Sequence, residues 1–260
     1  MPLWFDRMFS RADIVRDLRQ LGLATGDIVL VHSSLSALGR VDGGPDAVID
    51  ALLEVLGPAG TLLMPSFQKG SEHVLLRQGC TFDVRTSPSE MGLITETLRR
   101  RPAARRSLSP THCTAGVGPR AEDLLRDHQF CDVSVGKKSP YDKLVGANGR
   151  ILLLGVTHAN NTTLHLVENI NGAPTICQEL FQPVVIDTEG RSWTVPTYPH
   201  MPGLARCYTR VEPELLAAGI QVNGRVGNAE ARLIQAQPMA ELIGRCIRKN
   251  PLYLCEVFTP

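Results

Sequence analysis

"GDIVLVHSSLSALGRVDGGPDAVIDALLEVLGPAGTLLMPSF", residues 26–67, begins and ends on short aliphatic runs. "GDIVLVHS" (26–33) and "GTLLMPSF" (60–67) read as buried strands. Between them, "GGPDAVIDALLEVLG" (43–57) has helical spacing, with Pro45 near the first turn and Gly57 as its stop. Strand, helix and strand in so short a span form a βαβ-like unit, which favours a mostly parallel sheet.

Upstream, "SRADIVRDLRQLGL" (10–23) places apolar residues at 14, 15, 18 and 21 behind a Ser10…Asp13 start, an amphipathic helix. Downstream, 68–90 is polar and irregular and reads as a surface excursion. Helix signals return at 90–100 and 118–127, and Ser139 with Pro140 starts a short helix over 139–145. "RILLLGV" (150–156) is a central strand, and 181–198 alternates around "TEGR" as an antiparallel hairpin. After "QVNGRVGN", a helix pair is expected over 229–249 and a last strand near "YLCEVF". The sum is one α/β domain over 1–260, with a central mostly parallel sheet and a smaller antiparallel hairpin.

A chain of 260 residues buries roughly 70–75% of its unfolded surface, enough for one self-sufficient core. Apolar residues at 43% and charged residues at 20% indicate a soluble globular protein. The 27 basic and 26 acidic residues nearly cancel, so no basic field draws nucleic acid. No apolar run reaches the roughly 18–20 residues of a membrane helix. "MPLWFDRMFSRAD" lacks the layout of a secretory signal. Seven cysteines, odd in number and without a CxxC pair, read as reduced thiols in a cytoplasmic protein.

The strand at 150–156 runs into "GVTHANNTTLHLVENING" (155–172), at a sheet edge where α/β folds place ligands. A helix from about Thr162 sets Thr162, His165 and Glu168 three residues apart, so that neighbours interact as hydroxyl, imidazole base and carboxylate orienter. Asn161 and Thr162 are also both suited to cap that helix, and His158 to bond backbone from a loop. A zinc site on His158, His165 and Glu168 matches neither HExxH nor a finger spacing.

"VHSSLSALGRVDGG" (31–44) offers hydroxyls and glycine amides to an anion, or simply a capped turn; neither a P-loop nor GxGxxG is present. "RRRPAARRSLSPTHC" (99–113) brings five arginines into eight positions, a phosphate clamp or a solvated face. His112 beside Cys113 raises a cysteine nucleophile, against a buried structural thiol. Lys143 in "SPYDK" is a further possible anion contact, with plain capping as the alternative.

In order and spacing, "VHSSLSALGRVDGGPDAVIDALLEVLGPAGTLLMPSF", "RSLSPTHCTAGVGPRAEDLL", "GKKSPYDKL", "ILLLGVTHANNTTLHLVE" and "GRVGNAEARLI" resemble the aminoglycoside 3-N-acetyltransferase family. The match covers most of 10–175, with a weaker piece at 224–234. The resemblance implies a single α/β/α-type domain, distinct from the GNAT fold, that moves acetyl from acetyl-CoA to an amine by direct transfer. It implies His165 as general base, Glu168 as its partner and Thr162 near the thioester carbonyl. Ser33, Ser34, Leu35, Arg106, Ser107, Ser109, Ser139 and Lys143 fall in blocks lining the CoA groove. His158, Asn161 and Glu72 fall on the substrate side. No metal is implied, and a homodimer is the candidate assembly.

The chain departs from the pattern around the acceptor. Lys69, His200 and Arg206 stand where carboxylates are expected, and only Glu72 and Asp83 remain in the first of those regions. Ser109-Pro110 replaces the commoner His-Pro pair. A non-aminoglycoside amine is therefore an open acceptor. A catalytically degenerate CoA-binding relative and a metal-dependent hydrolase are the alternatives from other classes.

Overall fold

The computed structural model describes residues 7–256. Strand β1 (Met8–Phe9) leads into helix α1 (Arg11–Leu21). The Ser10 side chain accepts from the Asp13 amide while Asp13 reaches back to the Ser10 amide, a reciprocal cap at the expected place. Strand β2 (Ile28–Ser33), the short β3 (Arg40–Val41), helix α2 (Gly44–Leu56) and strand β4 (Thr61–Pro65) realise the opening βαβ unit. β2 and β4 pair in parallel, and β1 pairs with β3.

Residues 68–90 differ from the expected surface excursion. They hold helix α3 (Glu72–Arg77) and strand β5 (Thr81–Asp83), and Glu72 and Phe82 are buried. Helix α4 (Leu93–Arg99), strands β6 (Arg105–Arg106) and β7 (Thr114–Val117) and helix α5 (Ala121–Leu125) follow. Helix α6 (Pro140–Gly146) carries the expected Ser139 cap. Strand β8 (Arg150–Leu154), helix α7 (Thr163–Ile170), strands β9 (Val184–Ile186) and β10 (Ser192–Thr194) and helix α8 (Glu212–Ala217) come next. Strands β11 (Gln221–Val226) and β12 (Ala229–Gln235) and helix α9 (Ala236–Lys249) end the described elements.

Seven strands form the large sheet in the order β11-β12-β8-β2-β4-β7-β6. Its parallel part is the central trio β8-β2-β4; both flanks pair antiparallel, so the sheet is mixed. The expected helix pair over 229–249 is a strand followed by one helix, because 229–235 is sandwiched between β8 and β11 in full register. Near the C-terminus, Cys255 makes an isolated bridge to Arg206 instead of a strand; residues 257–260 lie outside the described part. The 181–198 hairpin forms as β9 and β10, and β5 joins it in parallel to make a three-stranded second sheet.

Successive strand residues face opposite sides, and the two cores sort accordingly. Val29, Val31, Leu152 and Leu154 pack with α1, α2 and α4, while Leu30, Ile151 and Leu153 pack with α5, α6, α7 and α9. That is helix, sheet and helix in three layers. Leu152 and Leu153 are fully buried, and truncating either to Ala would cost about 2–5 kcal/mol. Among the described residues, no helix is long and apolar enough to cross a membrane.

Candidate active site

The C-terminal ends of the three parallel strands converge on one spot. β2 delivers His32 and Ser33, β4 ends at Pro65 with Phe67 just beyond, and β8 ends before Gly155. Gly155 has φ +71°, and a Cβ there would meet the Ala37 Cβ at 2.5 Å. Only glycine lets the 34–37 turn close over the strand end at that point. A short 3-10 turn (His158–Asn160) and then α7 follow.

Neither Asn161 nor Thr162 caps α7 through its side chain; it is Thr157 that caps the preceding turn. His158 is fully buried, its Nε2–H donating to Gln221 Oε1 at 2.8 Å and its Nδ1 facing the Asn161 amide at 3.3 Å. Both ring nitrogens thus face side chains and not backbone, and His158 lines neither of the cavities beside His165.

His165 and Glu168 meet as expected, through a third residue. The Tyr208 hydroxyl lies 2.6 Å from Glu168 Oε2 and 2.7 Å from His165 Nδ1, and the carboxylate lies 3.2 Å from that same nitrogen. A phenol has one proton, which the carboxylate takes, so Nδ1 of His165 carries its own hydrogen. Nε2 is left as the basic lone pair. Burial and the nearby His200 ring, 4.3 Å away, push His165 below its ordinary value, while Glu168 pulls the other way. Glu168 itself is held low by His165, Arg206 and Tyr208 against the cost of burial. Arg206 Nε reaches it at 3.3 Å.

Two cavities of about 240 Å³ each meet at this imidazole. The first is lined by His32, Ser33, Met91, Asn161 and Thr162; the second by Glu72, Leu75, His200 and Met201. Phe67, His112 and His165 line both. Buried polar atoms without a partner, Ser33 Oγ, His32 Nε2 and Asn161 Oδ1, belong to residues lining the first.

Glu72 anchors the second cavity. Its Oε1 accepts from Thr111 at 2.6 Å and Ser134 at 2.5 Å; its Oε2 accepts from the His200 amide at 2.8 Å and His200 Nδ1 at 2.6 Å. Glu72, His112 and His200 bring potential metal-ligand atoms within 4.8 Å of one another. The Asn169 amide nitrogen, fixed by donating to the Val135 carbonyl, also faces His200 Nε2 at 3.2 Å. Nε2 is then an acceptor and Nδ1 a donor, the wrong tautomer for Nδ1 to ligate.

Of the residues placed in the CoA groove, Ser33 lines the first cavity, with Ser34 and Leu35 directly after it. The others line neither of these two cavities and are hydrogen-bonded within the fold. The Arg106 guanidinium donates to the carbonyls of Val84, Ser87 and Ser66 and lies over the Phe82 ring, tying the two sheets together. Ser107 sits between the Thr114 amide and His128; Ser109 accepts from the His112 amide. Ser139 is the buried α6 cap, and Lys143 Nζ donates to the carbonyls of Asp123 and Arg126. The arginine run is paired rather than clamping: Arg99 and Arg100 with Glu96, Arg101 with Asp46 and Asp50, Arg105 with Glu122. Cys113 is fully buried, and burial raises its thiol, as a structural cysteine requires.

A family model described as aminoglycoside 3-N-acetyltransferase matches residues 30–247. The chain belongs to that family. The aminoglycoside N(3)-acetyltransferase VIII of Streptomyces fradiae is 34% identical over 254 residues, covering 87% of each chain. Aminoglycoside acetyltransferase AAC(3)-Xa superposes with a TM-score of 0.81 at 34% identity, over 93% of both chains. AAC-IIIb, in a binary structure with CoASH, gives 0.82 at 27% identity, over 94% of this chain and 97% of that one.

As a member of the aminoglycoside 3-N-acetyltransferase family, this chain assigns its departures a place. His200 and Arg206 each sit on a buried glutamate, Glu72 and Glu168, and Lys69 is exposed. Asp83 is bound to Arg85 on the second sheet. Tyr208 is not singled out in the sequence, His112 only beside Cys113 and His200 only as a departure. Each lies 35 or more positions from His165, and only the tertiary fold gathers them.

Proposed function

We propose that the protein transfers the acetyl group of acetyl-CoA to an amine directly, with His165 as general base. The observation that carries this is the position of His165: Nδ1 tied to Tyr208 and Glu168, Nε2 left free, between two cavities that share its ring. The first cavity, at the ends of β2 and β8, suits the donor thioester, with Ser33, Ser34, Leu35 and Thr162 on that side. The second suits the acceptor. Arg106 on the large sheet holds the Val84 and Ser87 carbonyls and the Phe82 ring beside the second sheet, which supports a single domain.

The amine arrives as an ammonium and first gives up one proton to solvent, which leaves it a nucleophile. Its nitrogen attacks the thioester carbon while Nε2 of His165 takes a second proton, and Glu168 stabilises the imidazolium. The Thr162 hydroxyl supports the oxyanion. Collapse releases the thiolate, which receives the proton from His165. Because burial keeps His165 neutral, it is in its basic form at pH 7. The scheme uses no metal. Seven free thiols support a reducing, cytoplasmic setting.

Thiol release from acetyl-CoA across a panel of amines tests the proposal. His165→Ala should lower kcat about 10²–10⁴-fold and leave CoA affinity intact. Near-normal turnover by that variant would sink the assignment.

A further inference from the structure

The acceptor cavity contains one carboxylate among its described lining residues, Glu72, and neither Lys nor Arg. An ionised carboxylate offers about four lone-pair sites. All four of Glu72 are taken, by Thr111, Ser134 and the amide and ring of His200. Behind the histidines, Glu168 is fully buried, bonded by Tyr208 and His165, and paired with Arg206. No carboxylate is therefore free to accept a hydrogen bond from a substrate ammonium.

What is free is imidazole. The hydroxyls of Thr111 and Ser134 spend their protons on Glu72, so they accept from Nδ1 of His112, at 3.3 and 2.9 Å. Nε2 of His112 and Nε2 of His165 then remain as lone pairs, in rings whose centroids are 6.3 Å apart. Two such acceptors suit one nitrogen. Phe67, Leu75 and Met201 give the wall an apolar part, beside the neutral Ser71, Gly70 and Gly203. The space beside these nitrogens is about 240 Å³, the same as on the donor side.

We propose that the acceptor is a small primary amine with a single ammonium group on a neutral, partly apolar body, and that polycationic aminoglycosides are not its substrates. This rests on the acetyl-transfer reading above and narrows it. A polycation would carry further ammonium groups into a cavity without a free carboxylate for them, and charge left without a counter-charge is costly. Glu72 and Glu168 against Arg206 leave one net negative charge, which favours one cation over none.

The test is calorimetric titration of gentamicin into the CoA-saturated full-length protein, beside thiol-release assays with gentamicin, glucosamine, tyramine and ethanolamine. Gentamicin should bind more weakly than about 1 mM, and a single-amine compound should exceed its kcat/KM at least ~100-fold. Gentamicin binding tighter than that, or turnover matching the best single amine, overturns the proposal. Met201→Glu, at a partly exposed rim position, adds an unsatisfied carboxylate and should tighten gentamicin at least ~10-fold. An unchanged affinity would overturn the charge argument. Absence of thiol release with every amine instead removes acetyl transfer, and the titration still decides the charge claim separately.

Discussion

The hydroxyl of Tyr208 stands 2.7 Å from Nδ1 of His165 and bridges that nitrogen to Glu168. Burial beside Glu168 keeps the phenol protonated far above neutral pH, so the bridge is a permanent donor to the carboxylate. The imidazole is thereby locked in one tautomer without being asked to touch the carboxylate at full contact.

Tyr208→Phe should lower kcat about 10–100-fold, the worth of one hydrogen bond to a charged group, with little change in KM for acetyl-CoA. The direct 3.2 Å His165–Glu168 contact remains, which keeps the loss below that of His165→Ala. Steady-state kinetics on the two variants check the ranking. Equal losses would mean that Tyr208 does more than orient.

Acid should unfold the protein early. His32 and His128 are buried, and burial pushes both down to about 4. His158 and His165 are lowered as well. In the unfolded chain these rings protonate near 6.5. Between pH 6.5 and 4 the unfolded state binds more protons, so stability rises with pH there and falls on acidification. Below that window, protonation of Glu72 and Glu168, both held low in the fold, adds to the loss. The Tm should be level above about pH 7 and decline from 6.5 downward. In His128→Asn the decline should be shallower, since one neutral ring between Ser107 and the Ser134 carbonyl is gone. A Tm that holds constant down to pH 5 contradicts this.

Gly155→Ala should destabilise by about 2 kcal/mol or more, since it combines left-handed strain with a collision against Ala37. Because the collision displaces the turn that carries Ser34, affinity for CoA should fall along with the Tm. Thermal melts with and without CoA separate the two effects. A variant with a wild-type melt would show that the turn yields freely.

Local signals carried most of the fold. Ser10 and Ser139 cap where hydroxyl chemistry says they should, and the apolar run at 150–156 is a central strand. "AEARLIQ" (229–235) was misleading because its residues favour helix locally; pairing with β8 and β11 overrides that preference. At the site, Thr162, His165 and Glu168 were legible since they lie within one helical turn or two. Glu72 was legible only as a leftover carboxylate. Its partners at 111, 134 and 200 belong to separate loops, and no spacing in the chain announces such a meeting.

The two cavities share a wall of three rings, Phe67, His112 and His165, and otherwise have separate linings. On the proposed assignment each substrate would have its own doorway, and the ternary complex would assemble without a compulsory order. Double-reciprocal plots should intersect, and free CoA should compete with acetyl-CoA while leaving the amine's doorway open.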